Sequence, residues 1–251
     1  MSKLVTTFDC DMVTSTLSPD LLKRITKLTL KKYGSMYWQV LSGLTTFPVQ
    51  TAVKYKIPLI MYGENGEVEY GGSIENKYTA IFDLEYMVRA YFEGGYEKII
   101  QKSGLSKKEL FWFSLPNSKD IDNSKLFMTH MSYFEPWDSY KNYLIAKEHC
   151  GLKESDITNS GTFTNFSQND QALYSLHAYM MYLKFGFGRA TQDAGIEIRR
   201  GAMSRDQALN LVRLFDGHYP EEFLNEYLSY YQMDLSEFNR VLDTYANKDL
   251  F

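Results

Sequence analysis

The stretch KFGFGRATQDAGIEIRRG, Lys184 to Gly201, sets two closely spaced glycines among four cations. Gly186 and Gly188 lack a Cβ, so the backbone there is free to take positive φ and to let a ligand approach its N–H groups. Lys184, Arg189, Arg199 and Arg200 supply positive charge alongside, and a guanidinium can grip phosphate oxygens through two parallel hydrogen bonds. The chemistry that follows is anion binding, phosphate above all. The same residues also fit a helix that ends at a glycine and carries solvated arginines, and residue types alone leave both readings standing.

A second chemical cluster is acidic. The run IPLIMY, Ile57 to Tyr62, is short and apolar and reads as a buried strand, with Pro58 near its start where a missing donor matters least. GENGEVEYGG, Gly63 to Gly72, follows at once. Ligands of open α/β sheets sit outside the carboxyl ends of the strands. Glu64, Glu67 and Glu69 therefore fit contacts to Mg2+ or to a substrate amine or hydroxyl, since carboxylates are the hard oxygen ligands such groups take. A solvated hairpin fits the same composition equally well.

Residues Gln168 to Lys184 read as a helix with two stripes. Leu173, Leu176, Met180 and Leu183 form a core stripe; Asp170, Tyr174, His177, Met181 and Lys184 form a polar seam beside it that leads into the Gly-rich turn. A histidine in such a seam fits either a structural hydrogen bond or acid–base work. His149 beside Cys150 does not read as a metal site, because neighbours on a helix point about 100° apart. Cys10 and Cys150 show no CxxC spacing and are expected to be buried thiols.

The elements that must position these groups are legible in outline. Ser18-Pro19 opens a helix that runs to Gly34, a second helix is expected over about Phe47 to Tyr55, and Lys77 to Leu110 is mostly helical with breaks at Gly94-Gly95 and Gly104. LFMTHM, Leu126 to Met131, reads as a second short strand, although a run of this length fits a helix segment too, and Asp138 to Cys150 reads as a helix. Ser204 with Gln207 and Asp234 with Glu237 have capping-box spacing, and Pro220 stands at a first helical turn, so the tail is helical scaffold. No internal repeat is evident.

Composition bounds the function. A 44% hydrophobic and 23% charged chain of 251 residues folds as an ordinary globular protein. Net charge of -4 argues against a nucleic-acid partner. No run reaches the roughly 18 apolar residues of a membrane span, and the N-terminus has no apolar signal core, so a cytoplasmic location is expected. The 20 Tyr and 16 Phe fit stacking on sugars or bases, and equally fit amphipathic packing.

Four segments in order, FPVQTAVKYKIPLIMYGENGEVEYGG (Phe47 to Gly72), EPWDSYKNYLIAKEHCG (Glu135 to Gly151), Lys184 to Gly201 and FDGHYPEE (Phe215 to Glu222), resemble the N-acetyl sugar amidotransferase family of bacterial surface-polysaccharide biosynthesis. The resemblance implies an α/β fold: a partial adenine-nucleotide α-hydrolase-like (ATP-pyrophosphatase) parallel sheet over residues 1–135, then a family-specific helical part over 136–251. It further implies that ATP activates the acetamido oxygen of a sugar and that ammonia from a glutaminase partner, similar to the subunits of imidazole glycerol phosphate synthase, displaces AMP to leave an acetamidino group. Lipopolysaccharide or O-antigen assembly is the implied setting.

On that resemblance Glu64, Asn65, Glu67, Glu69 and Tyr70 are expected to contact substrate, with Glu64 also on Mg2+. Lys184, Gly186, Gly188, Arg189 and Arg199 are expected on phosphate, and Asp170, His177 and Asp193 are expected to position sugar or ammonia. The family's Ser-Gly-Gly-x-Asp-Ser phosphate loop does not occur here; Ser42-Gly43-Leu44-Thr45 lacks its second glycine and its aspartate. The resemblance thus implies a chain that opens inside the nucleotide-binding sheet, and leaves a second expectation: a module that binds a sugar nucleotide or a partner without turnover.

Overall fold

A computed structural model describes residues 2–91, 104–168 and 171–251. In chain order its elements are α1 (Ser2–Phe8), α2 (Pro19–Tyr33), α3 (Trp38–Tyr55), β1 (Leu59–Tyr62), α4 (Gly66–Glu69) and α5 (Leu84–Tyr91). A 3-10 turn at Phe111–Phe113 then leads to α6 (Ser118–Ser124), β2 (Phe127–His130), α7 (Met131–Phe134) and α8 (Ser139–Cys150). Residues 151–172 form no helix or strand among their described positions, and helices follow: α9 (Leu173–Phe185), α10 (Arg189–Arg199), α11 (Arg205–Phe215), a 3-10 turn at Glu221–Phe223, α12 (Leu224–Tyr231) and α13 (Leu235–Tyr245). Asp170 and the breaks expected at Gly94-Gly95 lie outside the described residues.

The chain divides into two compact units. One, sheet-bearing, comprises Ser15–Thr29 and Tyr37–Trp137; the other, helical, comprises Met1–Thr14, Leu30–Met36 and Asp138–Phe251.

In the sheet-bearing unit β1 and β2 pair in parallel, with Leu59 opposite Phe127 and Tyr62 opposite His130. Parallel strands need a long crossover, and everything from Gly63 to Leu126 supplies it. Because side chains alternate, Ile60, Tyr62, Met128 and His130 share one face. That face meets a core of Val49, Phe82, Met87 and Met128, with Val53, Ile60, Tyr62 and Ile121 packed around it. A backbone bond from Phe82 N–H to the Met128 carbonyl, 2.8 Å, ties the crossover to β2.

Helix α3 begins at Trp38, nine residues before the expected start at Phe47. Pro48 invites the later start, because its ring removes an N–H and normally belongs in a first turn. It is tolerated inside the helix because Trp38, Ser42, Thr45, Val49 and Ala52 bury one face. The carbonyl that Pro48 leaves without a helical donor is that of Leu44, and the Tyr62 hydroxyl donates to it at 3.0 Å. Burial at the end of β1 pushes the Tyr62 phenol up to about 12, so it stays a donor. Thr46 and Gln50 then hold the 3-10 turn: the Thr46 hydroxyl donates to the Trp112 carbonyl at 2.6 Å, and the Gln50 amide to those of Phe111 and Ser114 at 2.8 and 2.5 Å.

The helical unit buries Leu176, Met180, Ala190, Ala194, Ala208, Tyr227, Tyr231 and Phe238. Its helices are punctuated as the spacing predicts. Asp138 caps α8 by accepting from Lys141 N–H at 2.9 Å, and Ser204 and Gln207 complete a reciprocal capping box at α11. The thiols differ from expectation: Cys10, just past the short peripheral α1, is exposed, and Cys150 is half-buried. Among the described residues no helix is long and apolar enough to cross a membrane.

The end of α2 shows why one glycine cannot be replaced. Gly34 has φ +59°, and a Cβ there would fall 2.6 Å from the Tyr245 ring, whose hydroxyl donates to the Lys31 carbonyl at 2.7 Å. Gly71 has φ +82° with open space around its Cβ position. Gly71→Ala therefore incurs only the backbone cost of about 1–2 kcal/mol, whereas Gly34→Ala must also displace Tyr245. Thermal melts should show Gly34→Ala as clearly the less stable of the two; equal losses would contradict the packing.

Candidate functional site

The carboxyl ends of β1 and β2 bring together groups from three segments. Gly63 and Glu64 leave β1, and Asn65 caps α4 by accepting from Glu67 N–H at 3.0 Å. This short helix turns Asn65, Glu67 and Glu69 inward, to 3%, 4% and 4% exposure, so the loop is not a solvated hairpin. Glu64 and Tyr70 stay exposed at its two ends. The Glu67 carboxylate accepts from the Tyr86 hydroxyl at 2.5 Å and from Ser73 N–H. A Cβ on Gly72 would overlap the same carboxylate, which explains one glycine of the cluster.

His130, the last residue of β2, completes this end. Its ring stacks on Tyr62, 5.4 Å between centroids, and meets Phe82 edge-on at 4.3 Å. It is 5% exposed, and burial holds its pKa below the usual histidine range against the opposing pull of Glu67. The imidazole is therefore neutral near pH 7, and can accept a proton or a hydrogen bond. Tyr62 and Tyr86 thus hold an imidazole and a carboxylate at the strand ends, an arrangement suited to a ligand that donates hydrogen bonds.

Nothing in the sequence reading singled out His130, Tyr62 or Tyr86. A histidine closing a short apolar strand was a usable signal, because the carboxyl end of an α/β strand is where ligands meet the sheet. Tyr86 was beyond reach, since only the crossover brings it to Glu67.

The cationic stretch lies in the helical unit, and its donors have protein partners. Gly186 ends α9 with φ +76°. Lys184 donates to the Tyr33 carbonyl at 3.0 Å, satisfying an acceptor at the end of α2. Arg189 and Asp193 form a buried ion pair at 2.7 Å, 7% and 6% exposed, and the Thr162 hydroxyl donates to the second Asp193 oxygen at 2.5 Å. Burial raises the Asp193 pKa while Arg189, the largest opposing influence, lowers it. Arg200 pairs with Glu197 at 2.5 Å and lies 3.7 Å from Asp138, while Arg199 is exposed. His177 is partly buried on α9; desolvation, then the positive charges of Arg189 and Lys184, push it down to about 4, so it is neutral above mildly acidic pH.

At the start of α10, where an anion was expected, stands the carboxylate of Asp216. It accepts from Gly188 N–H at 2.8 Å and from the Thr191 hydroxyl at 2.5 Å, with Thr191 N–H at 3.4 Å. A helix N-terminus favours negative charge, and the chain supplies it internally. A Cβ on Gly188 would stand 2.8 Å from Asp216, so the glycine admits this aspartate. Among the described residues no group of three His, Cys, Asp or Glu side chains is arranged to hold a metal ion.

Asp216→Ala should cost about 1–2 kcal/mol as a lost helix cap. It should also open an anion site, so inorganic phosphate should raise the melting temperature of the variant more than that of the parent chain. An equal response in both would contradict this reading of the Gly188 turn.

Compared with known proteins, residues 160–251 match the family described as LPS biosynthesis protein WbpG-like, C-terminal domain. That match takes in α9 to α13, with Thr162, the Arg189–Asp193 pair and the Asp216 cap. No curated protein matches the chain.

Proposed function

We propose that this chain serves bacterial lipopolysaccharide biosynthesis as an amidotransferase of the N-acetyl sugar type, converting an acetamido group to acetamidino with ATP and with ammonia from a glutaminase partner. The match of residues 160–251 to the WbpG-like C-terminal domain carries this reading. The parallel strand pair that precedes it, with carboxylates at the carboxyl ends, supports it further.

In the proposed reaction the acetamido oxygen attacks the α-phosphorus of ATP and pyrophosphate departs. Ammonia then adds to the activated carbon, and AMP leaves with the original oxygen. Activation is needed because an amide oxygen is a poor leaving group. Glu64, Asn65, Glu67, Glu69 and Tyr70 are the residues assigned to the sugar's hydroxyl and N–H groups. The exposed Glu64 has the chemistry of a single-carboxylate contact to nucleotide-bound Mg2+, a cation that keeps most of its shell as water and phosphate. Asp193 is assigned a positioning role through Arg189 and Thr162; His177 and Asp170 stay assigned to sugar or ammonia.

The phosphate assignment fits less well. Lys184, Arg189 and Gly188 N–H are engaged with Tyr33, Asp193 and Asp216, so the described residues offer ATP no ready cradle there, and no step is routed through them. This observation favours a second reading, in which the chain binds an acetamido sugar or sugar nucleotide without turnover.

One experiment separates the two. The chain is incubated with ATP, Mg2+, an ammonium salt and a panel of N-acetyl and UDP-N-acetyl sugars, while AMP release and product mass are followed and binding is measured by calorimetry. AMP release with exchange of oxygen for NH in the sugar is the expected result. Sugar binding without AMP supports the binding module, and neither binding nor turnover would overturn both.

A further inference from the structure

Among the described residues of the sheet-bearing unit, buried polar atoms without a hydrogen-bond partner occur at several places, Trp38 Nε1, Ser42 Oγ and Trp137 Nε1 among them, and three fall within four residues at one strand end. Of the four residues from Thr129 to Ser132, three carry a buried side-chain atom with no hydrogen-bond partner: Thr129 Oγ1, His130 Nδ1 and Ser132 Oγ. They sit at the carboxyl end of β2 and the first turn of α7. A buried donor or acceptor left unpaired costs about 1–3 kcal/mol, so native structures keep few of them and most have a reason. Strand alternation turns Thr129 to the opposite face, which leaves His130 as the group beside the acidic loop.

The surroundings of His130 define what would satisfy it. The ring is neutral, and its orientation is fixed by Tyr62 and Phe82. Glu67 is close enough to act on it electrostatically, with no hydrogen bond between them. With its proton on Nε2, the neutral ring presents Nδ1 as an acceptor, and beside a carboxylate and between aromatic faces that atom disfavours anions. It favours a donor, neutral or cationic, whose charge the ring faces tolerate.

We infer that His130 is a binding residue for a nitrogen donor, an N–H group that bonds its Nδ1 beside the Glu67 carboxylate. The inference deepens the function proposed above, and its N–H has two sources there: free ammonia or ammonium, and the acetamido N–H of the sugar. Binding at His130 needs no ATP and no turnover, so it can hold where the amidotransferase reading fails, and the reverse.

The test uses the full chain with 15N-labelled histidine and follows the His130 ring nitrogens by NMR, assigned by comparison with His130→Phe. Ammonium chloride replaces potassium chloride at constant pH and ionic strength; N-acetylglucosamine is titrated separately. A saturable shift of the His130 Nδ1 signal is expected in at least one arm. The ammonium arm alone identifies the free nucleophile, and the sugar arm alone identifies the substrate amide. Melting curves supply a second readout: the effective ligand should raise the melting temperature of the parent chain by about 2–4 °C. His130→Asn, which keeps an acceptor near the Nδ1 position, should retain most of that gain, and His130→Phe should lose it. A His130 signal unmoved by both ligands overturns the inference, as does equal stabilisation of the Phe variant.

Discussion

The parallel pairing of β1 with β2 is the constraint on which the site depends. It brings Tyr62 and His130 into register, although 68 positions separate them, and leaves the loops after both strands at the same end. Four residues per strand make a small sheet, so the pairing needs outside support. Met128 and Ile60 rest on Val49 of α3 and on Phe82 of the crossover. The Tyr62 hydroxyl adds a directed contact by donating to the Leu44 carbonyl, which Pro48 releases from the helical ladder. The carbonyl that a proline frees in α3 thereby gains a partner from the strand, and the bond holds the ring on which His130 stacks.

The helical unit follows a different rule, in which opposite charges satisfy each other within the fold. Arg189 and Asp193 are both buried, and either alone would be a costly charge in a low-dielectric interior. Together, with Thr162 on the second carboxylate oxygen, they tie α10 to the segment before α9. Asp216 performs the same service at the α10 N-terminus, and Lys184 at the C-terminus of α2. A stretch rich in glycine and arginine thus resolves into caps and ion pairs, although its composition is equally that of a phosphate site.

The parts of this structure legible in the sequence are those governed by local rules. Ser18-Pro19, Asp138, Ser204 and Asp234 mark helix starts through side chains that bond N–H groups within three residues, so spacing alone reveals them. Both strands were visible as short apolar runs, but the burial expected of the first was not met, since Leu59 and Met61 of β1 are exposed, and the second was not separable from a helix by length. The early start of α3 was not, because the effect of Pro48 is offset by a hydroxyl from a later strand. The inward turn of Glu67 was hidden for a similar reason: its partners Tyr86 and Ser73 arrive through the crossover. His130 was overlooked because a lone histidine has no spacing to read. Its meaning comes from the register with Tyr62.

The carboxyl end of β1 and β2 is the proposed place where this protein meets its small-molecule ligand. Hydrogen–deuterium exchange with and without an acetamido sugar tests that most directly. Protection concentrated in residues 62–73 and 130–132 is the predicted result. Protection confined to residues 184–201, with the strand ends unchanged, would contradict it.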